Sequence, residues 1–223
     1  MTTGIVMGTA MTTDAILTLT QWLSPGFPVG AFAYSHGLET AIATMQLKTI
    51  GDLGDWLEDL VAFGGGHADL VILAAAYRAR PPEVAQIDAT ARAFAASADR
   101  LLETDQQGAA FARTVDAVWG TDLGPLTYPV AVARAARSQD IALDVTARMY
   151  LHAFAANLIS ASVRLVPLGQ TDGQRLLATL APLITATTER ALATALDDLA
   201  APCFAADIAA MQHEILYSKV FRT

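Results

Sequence analysis

The sequence predicts an all-α fold, a single-domain bundle of about eight to ten helices with no significant sheet. Three observations carry that expectation. Hydrophobic residues make up 53% of the 223 positions and charged residues only 16%, against roughly 25% charged in an ordinary globular chain. Much of the apolar content is alanine, the strongest helix former, and runs of β-branched residues are scarce. Apolar positions recur at three- and four-residue spacing, punctuated by Gly and Pro.

The elements follow in order. A first helix runs from Thr13 to Leu23, capped by Thr13 or Asp14, with Ile16, Leu19 and Leu23 on one face; Pro25 stops it. A Pro/Gly-rich loop leads into a second helix near Phe32 to Met45. A third starts around Asp52, carries Trp56, Leu57, Leu60 and Val61, and ends at Gly64-Gly65-Gly66. Asp69 to Arg80 forms the next, closed by Pro81-Pro82. Two longer patterns follow, Glu83 to Ser97 and Asp99 to Trp119, with Gly120 as the stop. Beyond the turn-rich Asp122-Leu123-Gly124-Pro125, a helix covers Pro129 to Ser138. Asp144 to Val166 is the strongest pattern. Leu143, Ala147, Leu151, Phe154, Leu158, Ala161 and Leu165 make one apolar stripe, and Met149, Ala153, Ala156, Ser160 and Val163 make a second of small residues. Two apolar faces place this helix at the centre of the bundle. Gly169 separates it from Thr171 to Ala195, and Pro202 precedes a last helix, Ala205 to Leu216.

No repeat or flexible linker interrupts the pattern, so residues 1–223 read as one domain with 1–12 flexible. The formal net charge of −8 argues against nucleic acid, which needs a basic face. Cys203 is the single cysteine, so no internal disulfide forms and a reducing, cytoplasmic setting is expected. Met1 to Thr13 lacks the positive charge of a targeting signal. No membrane span is expected: Ala15 to Leu38 is uncharged but broken by Pro and Gly, and Met149 to Val163 falls short of the ~20 residues a span requires. With so few charges, some apolar surface should be left exposed, which marks interaction surfaces.

Candidate chemistry is thin. His36, His67, His152 and His213 show no zinc-type spacing, and no permanent metal site is expected. A helix over 32–45 would put His36 and Glu39 on one face. Ser35-His36 are neighbours whose side chains diverge, with no third orienting group. Gly64-Gly65-Gly66-His67 lacks the strand and Lys-Ser/Thr of a phosphate loop. Glu103 with Asp105, and Asp197 with Asp198, read as solvated faces, and Asp144 and Arg148 as a helical ion pair. No enzymatic activity is expected. The alternative from another class is a small ligand-binding protein or enzyme with a bundle pocket around His36 and His152. In the loop 24–30, Pro25 and Pro28 restrict the backbone, so Phe27 and Phe32 are either presented to a partner or, for Phe27, buried in a rigid corner.

Three motifs carry a family resemblance. They are the run Ser24-Pro25-Gly26-Phe27-Pro28-Val29-Gly30-Ala31-Phe32-Ala33-Tyr34-Ser35-His36-Gly37-Leu38-Glu39, then Val163 to Gln174, and finally Met211-Gln212-His213-Glu214 with Tyr217-Ser218-Lys219-Val220-Phe221-Arg222. In that order the chain resembles the urease accessory protein UreF family over nearly its whole length. The resemblance implies a cytoplasmic, homodimeric, non-enzymatic scaffold. Such a protein assembles with UreD (UreH in some organisms) and the GTPase UreG to insert nickel into apo-urease, with nickel only as cargo and no resident cofactor. A role in regulating the UreG GTPase is also implied. Partner contacts are expected from Phe27, Phe32, Tyr34, Ser35, His36 and Glu39, from Arg164 and Gln170, and from His213, Glu214, Tyr217, Ser218, Lys219, Phe221 and Arg222. Residues 217–223 are expected to form a tail ordered by partner binding, with Tyr217 and Phe221 as apolar anchors and Lys219 and Arg222 as charged ones. The chain departs from the family where Ser-Arg-Glu-Thr-Arg becomes Ser97-Ala98-Asp99-Arg100-Leu101, and where Tyr-Ser-Arg becomes Tyr217-Ser218-Lys219. Lysine keeps the charge there but loses the planar bidentate fork.

Overall fold

Ten α-helices and three short 3₁₀ turns account for the ordered elements of the computed structural model, which describes residues 13–44, 47–166 and 168–222; no strand occurs among these described residues. The expected flexible segment 1–12 and the end of helix two at Met45 lie outside them. In chain order the helices are α1 Thr13–Trp22, α2 Leu38–Ala43, α3 Ile50–Ala62, α4 Gly65–Arg78, α5 Val84–Ala93, α6 Ala98–Trp119, α7 Tyr128–Ser138, α8 Leu143–Leu165, α9 Gln170–Ala193 and α10 Phe204–His213.

Local chemistry explains most boundaries. Thr49 caps α3 by accepting from the Asp52 amide while Asp52 accepts from the Thr49 amide, a reciprocal pair that starts the helix before Asp52. Ser97 caps α6 in the same sense, accepting from Arg100, and Gly120 closes it in a left-handed conformation. Two expectations are corrected. Helix two does not begin at Phe32: a 3₁₀ turn spans Ala31–Ala33, Tyr34 is extended, and His36 and Gly37 both have positive φ, so α2 starts only at Leu38. The glycine run does not simply end α3, because Gly65 and Gly66 form the first turn of α4.

The core is organised by α4 and α8. Helix α8 packs on α9, α4 and α7, and α4 also packs on α3, α7 and α9. The first apolar stripe of α8 supplies buried Ala147, Leu151, Leu158 and Ala161, whereas Met149, Ala153, Ala156 and Val163 are only half-buried. Helices α6 and α7 run together so closely that a Cβ on Gly108 would sit 2.0 Å from the Leu126 carbonyl oxygen. An aromatic chain, Trp119–Trp22–Phe111–Tyr128–Tyr150, ties α1, α6, α7 and α8 at centroid separations of 5.4–5.8 Å. Phe27 joins it through Phe111, so the stiff loop buries Phe27 in the chain's own core. The expected Asp144–Arg148 pair is replaced by Arg148 donating to Glu189 of α9 at 3.1 Å. The stretch Ile50–Arg78 is apolar enough for a span, yet it breaks at Phe63-Gly64 into α3 and α4, each shorter than the ~20 residues needed.

Candidate docking site at the junction of the two motifs

The first and third motifs, nearly two hundred residues apart in sequence, meet in space. Gly37 makes the approach possible. Its φ of 76° suits glycine, and a Cβ there would lie 2.7 Å from the Ala210 amide nitrogen and 3.0 Å from the Ala206 carbonyl oxygen. Helix α10 therefore lies directly against the turn that starts α2. Ser35 supports that turn by accepting from the Glu39 amide at 3.3 Å.

Glu39 is the hub. One carboxylate oxygen accepts from the Val220 amide at 2.7 Å, and the other accepts from the Phe221 amide at 2.9 Å and faces His213 Nε2 at 3.2 Å. The other ring nitrogen, Nδ1, faces Asp99 of α6 at 3.0 Å, and Lys219 Nζ lies 3.6 Å from the same Asp99 oxygen. Further along, the Arg222 amide donates to the Ala33 carbonyl at 2.7 Å. Its guanidinium shares Gln106 with the Tyr34 hydroxyl. Phe221 is buried beneath the Arg164 guanidinium, 4.5 Å from the ring centre, while Arg164 also donates to the Phe32 carbonyl. Residues 219–222 are thus held by the chain itself.

A second polar layer lies deeper. His36 Nε2 is 3.0 Å from Glu103 and 3.1 Å from Arg100, which also pairs with Glu103; the imidazole and the Phe154 ring meet nearly at right angles. Burial pushes the Glu103 carboxyl up, but the Arg100 guanidinium and His36 outweigh it and hold it down at about 2. Asp69 goes the other way: burial raises it against the pull of Arg100, and it accepts from the Tyr150 hydroxyl at 2.8 Å. A cavity of about 40 Å³ opens onto Tyr34, Glu103 and Tyr150, and a larger one of about 290 Å³ lies between α4, α5 and α10; His36, Asp69, Arg100 and Thr104 line both.

On the outside, α10 shows the opposite character. Phe204, Ile208 and Met211 of α10, and Ile215 in the turn just beyond its end, recur at four, three and four residues and all are exposed, Phe204 by 74% and Ile215 by 85%. Tyr217 and Val220 extend this apolar strip, and both are exposed.

The expected contact residues divide accordingly. Phe27, Tyr34, Ser35, His36, Glu39, His213 and Phe221 are buried inside the chain, Phe27 against Phe111 of α6. Tyr34 stands before α2, not at its start, with its hydroxyl on Gln106. His36 and Glu39 do not share a helical face, because the helix begins after His36 and the two side chains turn to different partners. Phe32, Arg164, Gln170, Glu214, Tyr217, Ser218, Lys219 and Arg222 are exposed. Of these, Glu214 accepts from the Ala98 amide at the start of α6. His152 is also exposed, whereas His36 is buried. Sequence reasoning missed Asp99, Arg100, Glu103 and Asp69, and it missed the outward stripe of α10, whose four-three-four spacing was readable.

Comparison with known proteins places this geometry in context. The UreF family model matches residues 47–181, which excludes both motifs of the junction. Relatives match the chain over nearly its whole length. The chain is 61% identical to the urease accessory protein UreF of Roseobacter denitrificans over 213 residues, 96% of each chain. It is 54% identical to that of a Ruegeria species over 214 residues, 96% of this chain and all of the relative. It is 47% identical to that of Cereibacter sphaeroides over 209 residues, 94% and 99% of the two.

Proposed function

Since the chain belongs to the UreF family of urease accessory proteins, we propose that it serves urease maturation as a scaffold that docks its partners on the exposed face of α10 and the adjoining tail. It is a non-catalytic chaperone in that process. In the proposed role a cytoplasmic homodimer of the single domain binds UreD (or UreH) and the GTPase UreG, and the assembly delivers nickel to apo-urease. Nickel is cargo, and this chain helps couple the nucleotide state of UreG to metal release.

The observation that carries this reading is the solvent-facing stripe Phe204, Ile208, Met211 and Ile215, continued by Tyr217 and Val220. A helix normally turns its apolar stripe to its own core. Here Ala206, Ala209, Ala210 and His213 already fill the inner face, so the outer stripe is surplus to folding. Helix-in-groove recognition uses such anchors at three- and four-residue spacing. The tail contributes through Tyr217, Ser218 and Lys219, which remain outside, while Phe221 and the Glu39 bonds fix their position.

The test is a double substitution, Ile208→Asp with Met211→Asp, co-expressed with UreD and UreG. Removing two anchors at about 1–2 kcal/mol each should weaken capture of UreD by roughly 30-fold or more while the helical content is unchanged. Undiminished co-purification of UreD would overturn the assignment of this face.

A further inference from the structure

We propose that the cleft between segment 28–34 and α6 is a second docking surface, separate from the α10 face, and that it takes an extended acidic segment of a partner protein. The cleft, about 560 Å³, has the loop as one wall and one face of α6 as the other. On that face Gln106, Ala109, Ala110 and Arg113 follow at three- and four-residue spacing, so two alanines make a low floor between longer side chains. At 1.5 Å per residue, Gln106 and Arg113 stand roughly 10 Å apart along the helix axis. That length accommodates about three residues of an extended peptide.

Charge sets the kind of occupant. Arg222 lines the cleft at the Gln106 end and Arg113 at the other. Arg222 meets neutral groups, the Gln106 amide oxygen at 3.3 Å and the Tyr34 hydroxyl. Arg113 is exposed and faces no carboxylate among the described residues. Arg164, behind Phe32, donates to the carbonyls of Ser160 and Phe32. Each carboxylate of α6 is engaged by other groups: Asp99 by His213 and Lys219, Glu103 by Arg100, Asp105 at the cleft edge by Arg92, and Asp116 by the Thr121 hydroxyl and the Leu123 amide. The cleft is therefore locally positive on a chain of formal net charge −8. Guanidinium groups pair with carboxylates through charge-assisted hydrogen bonds, whereas a purely apolar occupant would bury them unpaired.

Phe32 supplies an apolar anchor beside these charges. It is 64% exposed, while Val29 and Tyr34 on either side are buried, so the loop is pinned on both flanks. The Phe32 carbonyl accepts from Arg164 at 2.7 Å, and the Ala33 carbonyl accepts from the Arg222 amide at 2.7 Å. The exposed ring thus stands on a fixed backbone, which lowers the ordering cost of binding. Aromatic and arginine side chains are the ones that dominate interface energetics. An occupant with carboxylates toward Arg113 and Arg222 and an apolar side chain against Phe32 satisfies all three.

The experiment titrates the isolated full chain with a fluorescein-labelled peptide of about eight residues, glutamate alternating with leucine, and reads anisotropy. Binding should saturate, and it should weaken about tenfold when glutamine replaces glutamate in the peptide or when the chain carries Arg113→Glu. Phe32→Ala should weaken it about fivefold. Arg175→Glu, the same charge change on α9 and outside the cleft, should leave it within about twofold. The Ile208→Asp, Met211→Asp variant should bind the peptide as the wild type does, which separates this cleft from the α10 face. The proposal is overturned by any of four results: no saturation by about 1 mM peptide, equal binding of the glutamine peptide, equal losses from Arg113→Glu and Arg175→Glu, or tighter binding of a labelled single-stranded oligonucleotide of the same charge. A change of light-scattering mass on Arg113→Glu also overturns it, by assigning the cleft to a second copy of this chain. None of these results bears on capture of UreD through α10.

Discussion

Glu103 lies between the Arg100 guanidinium and the His36 ring in the interior, and its carboxyl is held down at about 2 against an ordinary 4.5. Between those values the folded chain binds fewer protons at this site than the unfolded chain. The stability it contributes is complete above the ordinary carboxylate range and is lost as pH falls through the window toward 2. Replacing Glu103 with Gln should cost about 3–5 kcal/mol at neutral pH, since it leaves Arg100 buried without its partner. The difference from wild type should shrink at about pH 3, measured by urea unfolding at the two pH values. Asp69 has the opposite sign: burial raises it, so its ionisation opposes folding as pH rises. Neither role was readable from sequence. Glu103 and Asp105 sit in a polar stretch that resembles a solvated face, and what makes Glu103 different is His36, brought from another element. Glycine was more legible in principle, but the positive φ at His36 was not: histidine is enriched there, yet only a few per cent of non-glycine residues adopt it at all.

At the scale of elements, Gly108 shows how tightly two helices can be set. The Leu126 carbonyl oxygen, the Thr127 carbon and the Tyr128 nitrogen all lie within 2.7 Å of where its Cβ would be, and backbone atoms cannot swing aside. Gly108→Ala should therefore destabilise the fold by about 3 kcal/mol, seen as a lower urea midpoint with an unchanged slope. Helix existence was largely legible. The patterns at 13–23, 99–119, 129–138 and 144–166 correspond to α1, α6, α7 and α8 within one or two residues, because caps and breakers act locally. The misses cluster where tertiary contact decides. The turn at 31–37 is irregular where α10 presses on Gly37, and Gly66 lies where α4 comes close to α8, a Cβ there meeting Leu151 at 2.9 Å. Neither α10 nor α8 announces those contacts in local sequence.

For the whole molecule, low charge content and an abundance of alanine foretold surplus apolar surface; part of it sits on α10, and the small-residue stripe of α8 is half-buried. The proposed homodimer uses a self-complementary face, for which the second of these stripes is suited by its small side chains. Light scattering should give twice the chain mass of 23.5 kDa, and Ala156→Arg should return it to the single-chain value. A wild-type mass equal to one chain would remove the homodimer from the reading. The junction of the two motifs also has a kinetic meaning. The bond from Val220 to Glu39 closes a loop of 181 residues, and loop-closure entropy grows with the logarithm of length. Contacts so distant along the chain form late in folding, after the local helical pairs have condensed. The bundle is therefore largely assembled before its last strap is fastened, and the same strap is the part that can come undone without melting the rest.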